Sequence, residues 1–260
     1  MALSELLDGD ERRYLETHRD QPGALWLFLH IPKTAGSSFR AELAWHLQPD
    51  RNIVVDYEDQ SVPYHEQLQR LVADFADNME GVRFASGHIF RSHAELLRQH
   101  HPDLRMITML RDPVARLVSE YRYARTPAHP SYRDFIREFP TFADYVDSPA
   151  SQNKMFEFLR LRPEDTVDEV IRDLEGNLVF LGVTEMYYLS CRVLFTLLGH
   201  VRNPTVYDRR TERSADNQVD GLVALTPRIR AVNAKDVAIY DHFYEKLRRR
   251  RERIRRALWS

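Results

Sequence analysis

Short apolar runs alternate along this chain with stretches whose apolar residues recur at helical spacing. Residues 24–30 form a nearly unbroken apolar run, the mark of a strand buried on both faces. In residues 36–47, Phe39, Leu43 and Leu47 fall four apart and predict a helix. The alternation repeats with a strand over 52–56, an amphipathic helix over 65–76 and a strand over 82–86 that ends at Gly87-His88. A helix over 92–99, with Ser92 as its cap, and an apolar strand over 104–110 follow. Asp112-Pro113 joins a capping carboxylate to a proline at the first helical position, so a helix should run on toward Tyr123. Residues 126–162, richer in Pro, Ser and aromatics, read as short helices and loops, a lid or acceptor-facing region. The last clear strand is 178–183. A helix over 185–198 ends at Gly199, 203–219 is a polar loop, and 235–259 is a helix with a very basic second half.

That order of elements predicts an α/β protein: a P-loop-like three-layer fold with a central, mainly parallel sheet flanked by helices. No repeat or low-complexity linker divides the chain, so 1–260 reads as one domain, with 1–22 as an N-terminal extension and 235–260 as a basic C-terminal helix. At 260 residues and 43% hydrophobic it can bury one large core, and 11% aromatics is incompatible with a disordered chain. The net charge of −2 points to no class of partner. A single cysteine, Cys191, rules out an internal disulfide framework and a Cys-based zinc site. It sits in an apolar run and reads as a buried thiol, which fits a reducing compartment. Residues 1–20 are polar and acidic, unlike a secretory signal, and the run 24–29 is too short to cross a bilayer. The expectation is a soluble, cytoplasmic protein, although a chain trimmed of an anchor would read the same way.

Two strand ends carry the chemistry. At the first, Leu29-His30-Ile31-Pro32-Lys33-Thr34-Ala35-Gly36-Ser37-Ser38 takes a buried strand through a turn of small and hydroxyl residues into a helix. The unpaired N–H groups and dipole at such a helix start favour an anion. Gly36 permits close approach, Lys33 adds a mobile charge, and Thr34, Ser37 and Ser38 add hydroxyl donors. An ordinary capped strand-to-helix connection has the same ingredients. Walker A is not among the readings, because Lys33 precedes the glycine and no Gly-x-x-x-x-Gly-Lys is present. At the second strand end, Arg111 stands where open α/β sheets bind ligands, and Ser119 lies two turns into the next helix. Arg111 and Ser119 could grip a second phosphate, or Arg111 could pair with Asp112.

The segment 30–38 resembles the 5′-phosphosulfate loop of sulfotransferases that use 3′-phosphoadenosine 5′-phosphosulfate (PAPS), in the branch of the heparan sulfate 2-O-sulfotransferases and related bacterial enzymes. Arg111-Asp112-Pro113-Val114-Ala115-Arg116-Leu117-Val118-Ser119-Glu120-Tyr121 resembles that family's 3′-phosphate motif. The resemblance implies nucleotide contacts from Lys33, Thr34, Ala35, Gly36, Ser37, Ser38, Arg111 and Ser119, with PAPS as donor, its bisphosphate PAP as product, and no metal. It also extends to Gly87-His88, where relatives place the catalytic base. His88 would deprotonate an acceptor hydroxyl, and Lys33 would stabilise charge on the leaving phosphate oxygen of an in-line displacement. Two departures stand out: Ser37 replaces a common Thr, and Ser86 stands where some relatives carry a second His. His93, Glu58 and His65 are the fallback bases. Gln152-Asn153 resembles a family segment near cofactor and acceptor, and is equally a helix cap. Arg209-Arg210-Thr211-Glu212-Arg213 resembles a late loop that closes over the nucleotide through Arg210, Thr211 and Arg213, and is equally a solvated basic loop. The acceptor stays open among carbohydrate, lipid, peptide tyrosine and small-molecule metabolite, with the resemblance leaning toward carbohydrate. The basic run 246–256 reads as a solvated helix or as a docking site for a polyanion, and nucleic acid is not the expected partner. Two other functions compete. One is a magnesium-dependent P-loop small-molecule kinase; the other is a non-catalytic binder of the nucleotide or of a sulfated glycan.

Overall fold

A strand buried on both faces must find neighbours on both edges, and the first apolar run does so. The computed structural model describes residues 2–57, 59, 61–205, 214 and 217–259. In it β1 (Trp26–Leu29) sits at the middle of a five-stranded sheet. Its companions are β2 (Asp50–Ile53), β3 (Phe84–Gly87), β4 (Arg105–Leu110) and β5 (Phe180–Val183), in the order β2-β3-β1-β4-β5. All four strand pairings are parallel, and β1, β3 and β5 are buried along their whole length, β1 as its unbroken apolar run requires. The second strand begins two residues before the predicted segment, because Asp50–Ile53 pairs with Phe84–Gly87.

The crossover helices lie close to their predicted ranges: α3 (Gly36–His46), α4 (Tyr64–Asp77), α5 (Arg91–His100) and α6 (Pro113–Ala124). Asp112 caps α6 through a bond from the Ala115 N–H at 2.9 Å, with Pro113 at the first helical position. Ser92 does not cap α5. The cap position is Phe90, whose N–H donates to His93 Nδ1 at 3.2 Å. The middle of the chain folds into the short helices α7 (Tyr132–Glu138), α8 (Phe142–Asp147) and α9 (Lys154–Leu159). Leu117, Tyr121, Phe142, Tyr145, Val146 and Ile229 form a second apolar cluster that anchors this region on α6.

Several helices lie outside the elements predicted from sequence. Both α1 (Ala2–Asp8) and α2 (Glu11–Thr17) are seven residues long, yet Leu3, Leu6 and Tyr14 are wholly buried. Tyr14 donates its hydroxyl to the Val179 carbonyl at 2.7 Å, so the segment that reads as an extension packs against the sheet's main core. The helix α10 (Val167–Asn177) opens with a reciprocal capping box between Thr166 and Glu169. After β5 come α11 (Tyr187–Leu197), α12 (Leu222–Val232) and α13 (Ala234–Trp259). In α13, Phe243, Leu247, Ile254 and Leu258 face the core, while Arg248, Arg249, Arg251, Arg253, Arg255 and Arg256 are exposed.

Candidate functional site

Sheet register builds the centre of the site. Leu29 lies beside Gly87 on one edge of β1 and beside Thr108 on the other. The next residues, His30 and His88, therefore leave the carboxyl edge side by side, and the turn that follows β4 brings Arg111 to the same edge. Carboxyl ends on either side of a central strand are where open α/β sheets leave a crevice.

The turn between β1 and α3 is held from within. Thr34 is wholly buried and donates its hydroxyl to the Ile31 carbonyl at 2.9 Å, so it shapes the turn with that group. Lys33 and Ala35 adopt left-handed backbone conformations, with φ of 69° and 62°. Each costs roughly 1–2 kcal/mol for a residue with a Cβ, and such turns aim successive N–H groups into one anion-sized concavity. Gly36 is needed for a reason the sequence did not reveal. A Cβ there would lie 2.0 Å from Cδ2 of the His30 ring. Gly36→Ala should therefore force His30 and the turn apart, with a lower melting temperature. An unchanged melting temperature would contradict this packing. Ser37 is exposed and Ser38 buried at the start of α3.

Arg111 joins the two strand ends. Its Nη1 donates to the carbonyl of Lys33 at 3.1 Å, so the guanidinium spans from the end of β4 to the turn after β1. Burial pulls its pKa down, while Glu185 and Asp112 push it up. Glu185, just past β5, also accepts the Asp112 N–H at 3.0 Å. Ser119 is half-buried on α6, past Arg116. Arg116 itself is wholly buried and bonded to Glu120 at 2.8 Å, which makes it a structural member of the motif.

His88 is held at one nitrogen. Its Nδ1 lies 2.6 Å from the His30 carbonyl. A carbonyl only accepts, so Nδ1 carries the proton and Nε2 of the neutral ring is left with the lone pair. Burial depresses the pKa of His88; the bond to His30 acts against that and the nearby Lys33 charge with it. The ring of His30 lies 4.4 Å from that of His88, centroid to centroid, and burial also holds it well below an ordinary imidazole. Lys33 places its ammonium 4.0 Å from the centre of the Tyr123 ring. Its pKa is lowered to about 8, mostly by burial, with Glu120 opposing and Arg111 adding to the effect.

Other candidates fall differently. Nδ1 of His93 accepts the Phe90 N–H, so its neutral ring presents no free lone pair at that nitrogen, and His65 is exposed and stacked on Phe90. Ser86, in the place of a second His, bonds to Asn52 at 3.0 Å and to Arg40 at 2.9 Å. Asn153 is a tether: its Oδ1 accepts the N–H groups of Lys235 and Asp236 at the start of α13, and its Nδ2 donates to Val232. Glu58 and the loop Arg209-Arg210-Thr211-Glu212-Arg213 lie outside the described residues. Sequence reasoning missed Tyr123, the His30 ring and Glu120, an ionised carboxylate with its pKa near 2 that pairs with Arg116 and Lys154. Glu185, two residues past the end of β5, was missed as well.

Among the described residues, no group of three or more His, Cys, Asp or Glu is arranged to hold a metal ion, and no helix is long and apolar enough to cross a membrane. No protein-family model matches the chain, and no curated protein matches it. Among solved structures, it aligns with mouse sulfotransferase SULT7A1 complexed with PAP at 14% identity and a TM-score of 0.40, over 90% of this chain and 72% of that one.

Proposed function

We propose that this chain transfers a sulfuryl group from PAPS to an acceptor hydroxyl. The observation that carries the reading is the bond from Arg111 to the Lys33 carbonyl, which ties together the two turns that resemble phosphate motifs, with the His88 ring beside that of His30 at the same sheet edge. Two joined turns of this kind would suit a nucleotide with phosphate at both ends of its ribose. The left-handed turn and the start of α3 would receive the 5′ group, and Arg111 with Ser119 the 3′-phosphate.

The chemistry then needs little beyond positioning. His88 Nε2 takes the proton from the acceptor hydroxyl as that oxygen bonds to sulfur. The bond from sulfur to the 5′-phosphate oxygen breaks on the opposite side, and the Lys33 ammonium receives the charge that grows there. The acceptor class favoured by the resemblance is carbohydrate.

The pH dependence follows from two shifts. His88 is a base only when neutral, so kcat/KM should fall on the acid side, at a pH below the usual imidazole value. Lys33 works only when charged, so kcat/KM should fall again as pH rises through about 8. The alkaline limb belongs to the free enzyme and should weaken in kcat, because a bound phosphate holds the ammonium protonated. A flat profile in kcat/KM from pH 6 to 9 would contradict these assignments.

The experiment is a transfer assay with sulfur-labelled PAPS against a panel of sugars and small hydroxyl compounds, run beside labelled ATP with magnesium. Transfer from PAPS alone supports the reading. Transfer from ATP alone would replace it with a kinase, and binding of PAP without transfer from either donor would leave a nucleotide-binding protein.

A further inference from the structure

The Lys33 ammonium has an unusual resting place. It sits in a desolvated turn, yet among the described residues no carboxylate forms an ion pair with it. The nearest acidic influence, Glu120, is already held by Arg116 and Lys154. What faces the ammonium is the Tyr123 ring, 4.0 Å from nitrogen to centroid. The ring is itself fixed. Its hydroxyl donates to the Ala128 carbonyl at 3.1 Å, and it packs against the His129 ring in a T-shaped pair with centroids 5.4 Å apart.

We infer that Tyr123 is a positioning residue which holds the Lys33 ammonium at the mouth of the phosphate turn, ready for the donor nucleotide. The inference rests on the proposed function. An aromatic face attracts a cation without neutralising it. A carboxylate in the same place would hold Lys33 more tightly, and an incoming phosphate would have to displace it. Tyr123 directs the charge and leaves it available. Holding a flexible four-carbon side chain in one orientation also removes part of the ordering cost that binding would otherwise incur. Sequence alone gives no hint of this, because Lys33 and Tyr123 are 90 positions apart (123 − 33) on different elements.

The test is a double-mutant cycle read as the Kd for adenosine 3′,5′-bisphosphate by calorimetry. Tyr123→Leu should weaken binding about three- to tenfold, and Tyr123→Phe, which keeps the ring, should stay within about twofold of wild type. In a Lys33→Ala background, Tyr123→Leu should cost nothing further, because the contact it removes is already gone. Tyr123→Met serves the same purpose if the leucine variant is misfolded by circular dichroism. Two results would overturn the inference: an apolar variant that binds as wild type does, or one that loses as much affinity without Lys33 as with it. Wild-type protein that binds no bisphosphate would instead remove the donor-site reading, and this inference along with it.

Discussion

His88→Ala is expected to lower turnover about 10²–10⁴-fold, the usual worth of a positioned general base, while nucleotide affinity stays near wild type. Parallel register places the residues after Leu29 and Gly87 next to each other, and the His30 carbonyl then fixes the tautomer of His88 by accepting from Nδ1 at 2.6 Å. Burial keeps the ring neutral at neutral pH, so Nε2 is a base without any prior proton loss. Neither fallback histidine offers the same arrangement. Nδ1 of His93 is bonded to the chain at the start of α5, and His65 is exposed. Single-turnover kinetics with saturating donor would measure the effect. Undiminished turnover in the alanine variant would remove His88 from the chemistry, and loss of binding in a folded variant would make its role structural.

Lys33→Ala should cost about 10²–10³ in kcat, the range found when one donor to a developing negative charge is deleted. Alanine is the informative replacement. It keeps the Cβ and hence the same left-handed strain that Lys33 bears at φ 69°, so the comparison isolates the ammonium. Glycine would relax the turn and mix two effects. The alkaline limb near pH 8 should vanish from kcat/KM in the same variant, because the group that titrates there is gone. A surviving limb would assign it to another residue.

The long apolar strands and their ends were legible because burial on both faces writes an unbroken pattern, and the residue after each strand end is then forced to the carboxyl edge. His88 and Arg111 follow β3 and β4 in that way, Lys33 lies further on in the turn after β1, and Asp112-Pro113 marks the start of α6. Contacts between residues far apart in the chain were not legible. The proximity of His30 to His88 depends on strand order, and Gly36 is needed for the His30 ring that crosses it. Thr34 reads as a phosphate donor by type, yet its hydroxyl closes the turn. The first two helices escaped notice because seven residues cannot hold a helix alone; Tyr14 and Leu3 owe their order to the core they reach. Asn153, read equally as part of a ligand site and as a helix cap, has its side chain bonded to the start of α13.

The most direct test of the whole account is calorimetric titration of the purified chain with adenosine 3′,5′-bisphosphate, beside adenosine 5′-phosphate and the Arg111→Ala variant. The account predicts saturable binding of the bisphosphate, weaker binding of the monophosphate, and a loss of about tenfold or more in the variant, as expected for a deleted charge-assisted phosphate contact. Folded protein that binds neither nucleotide, or that holds both equally with and without Arg111, would contradict it.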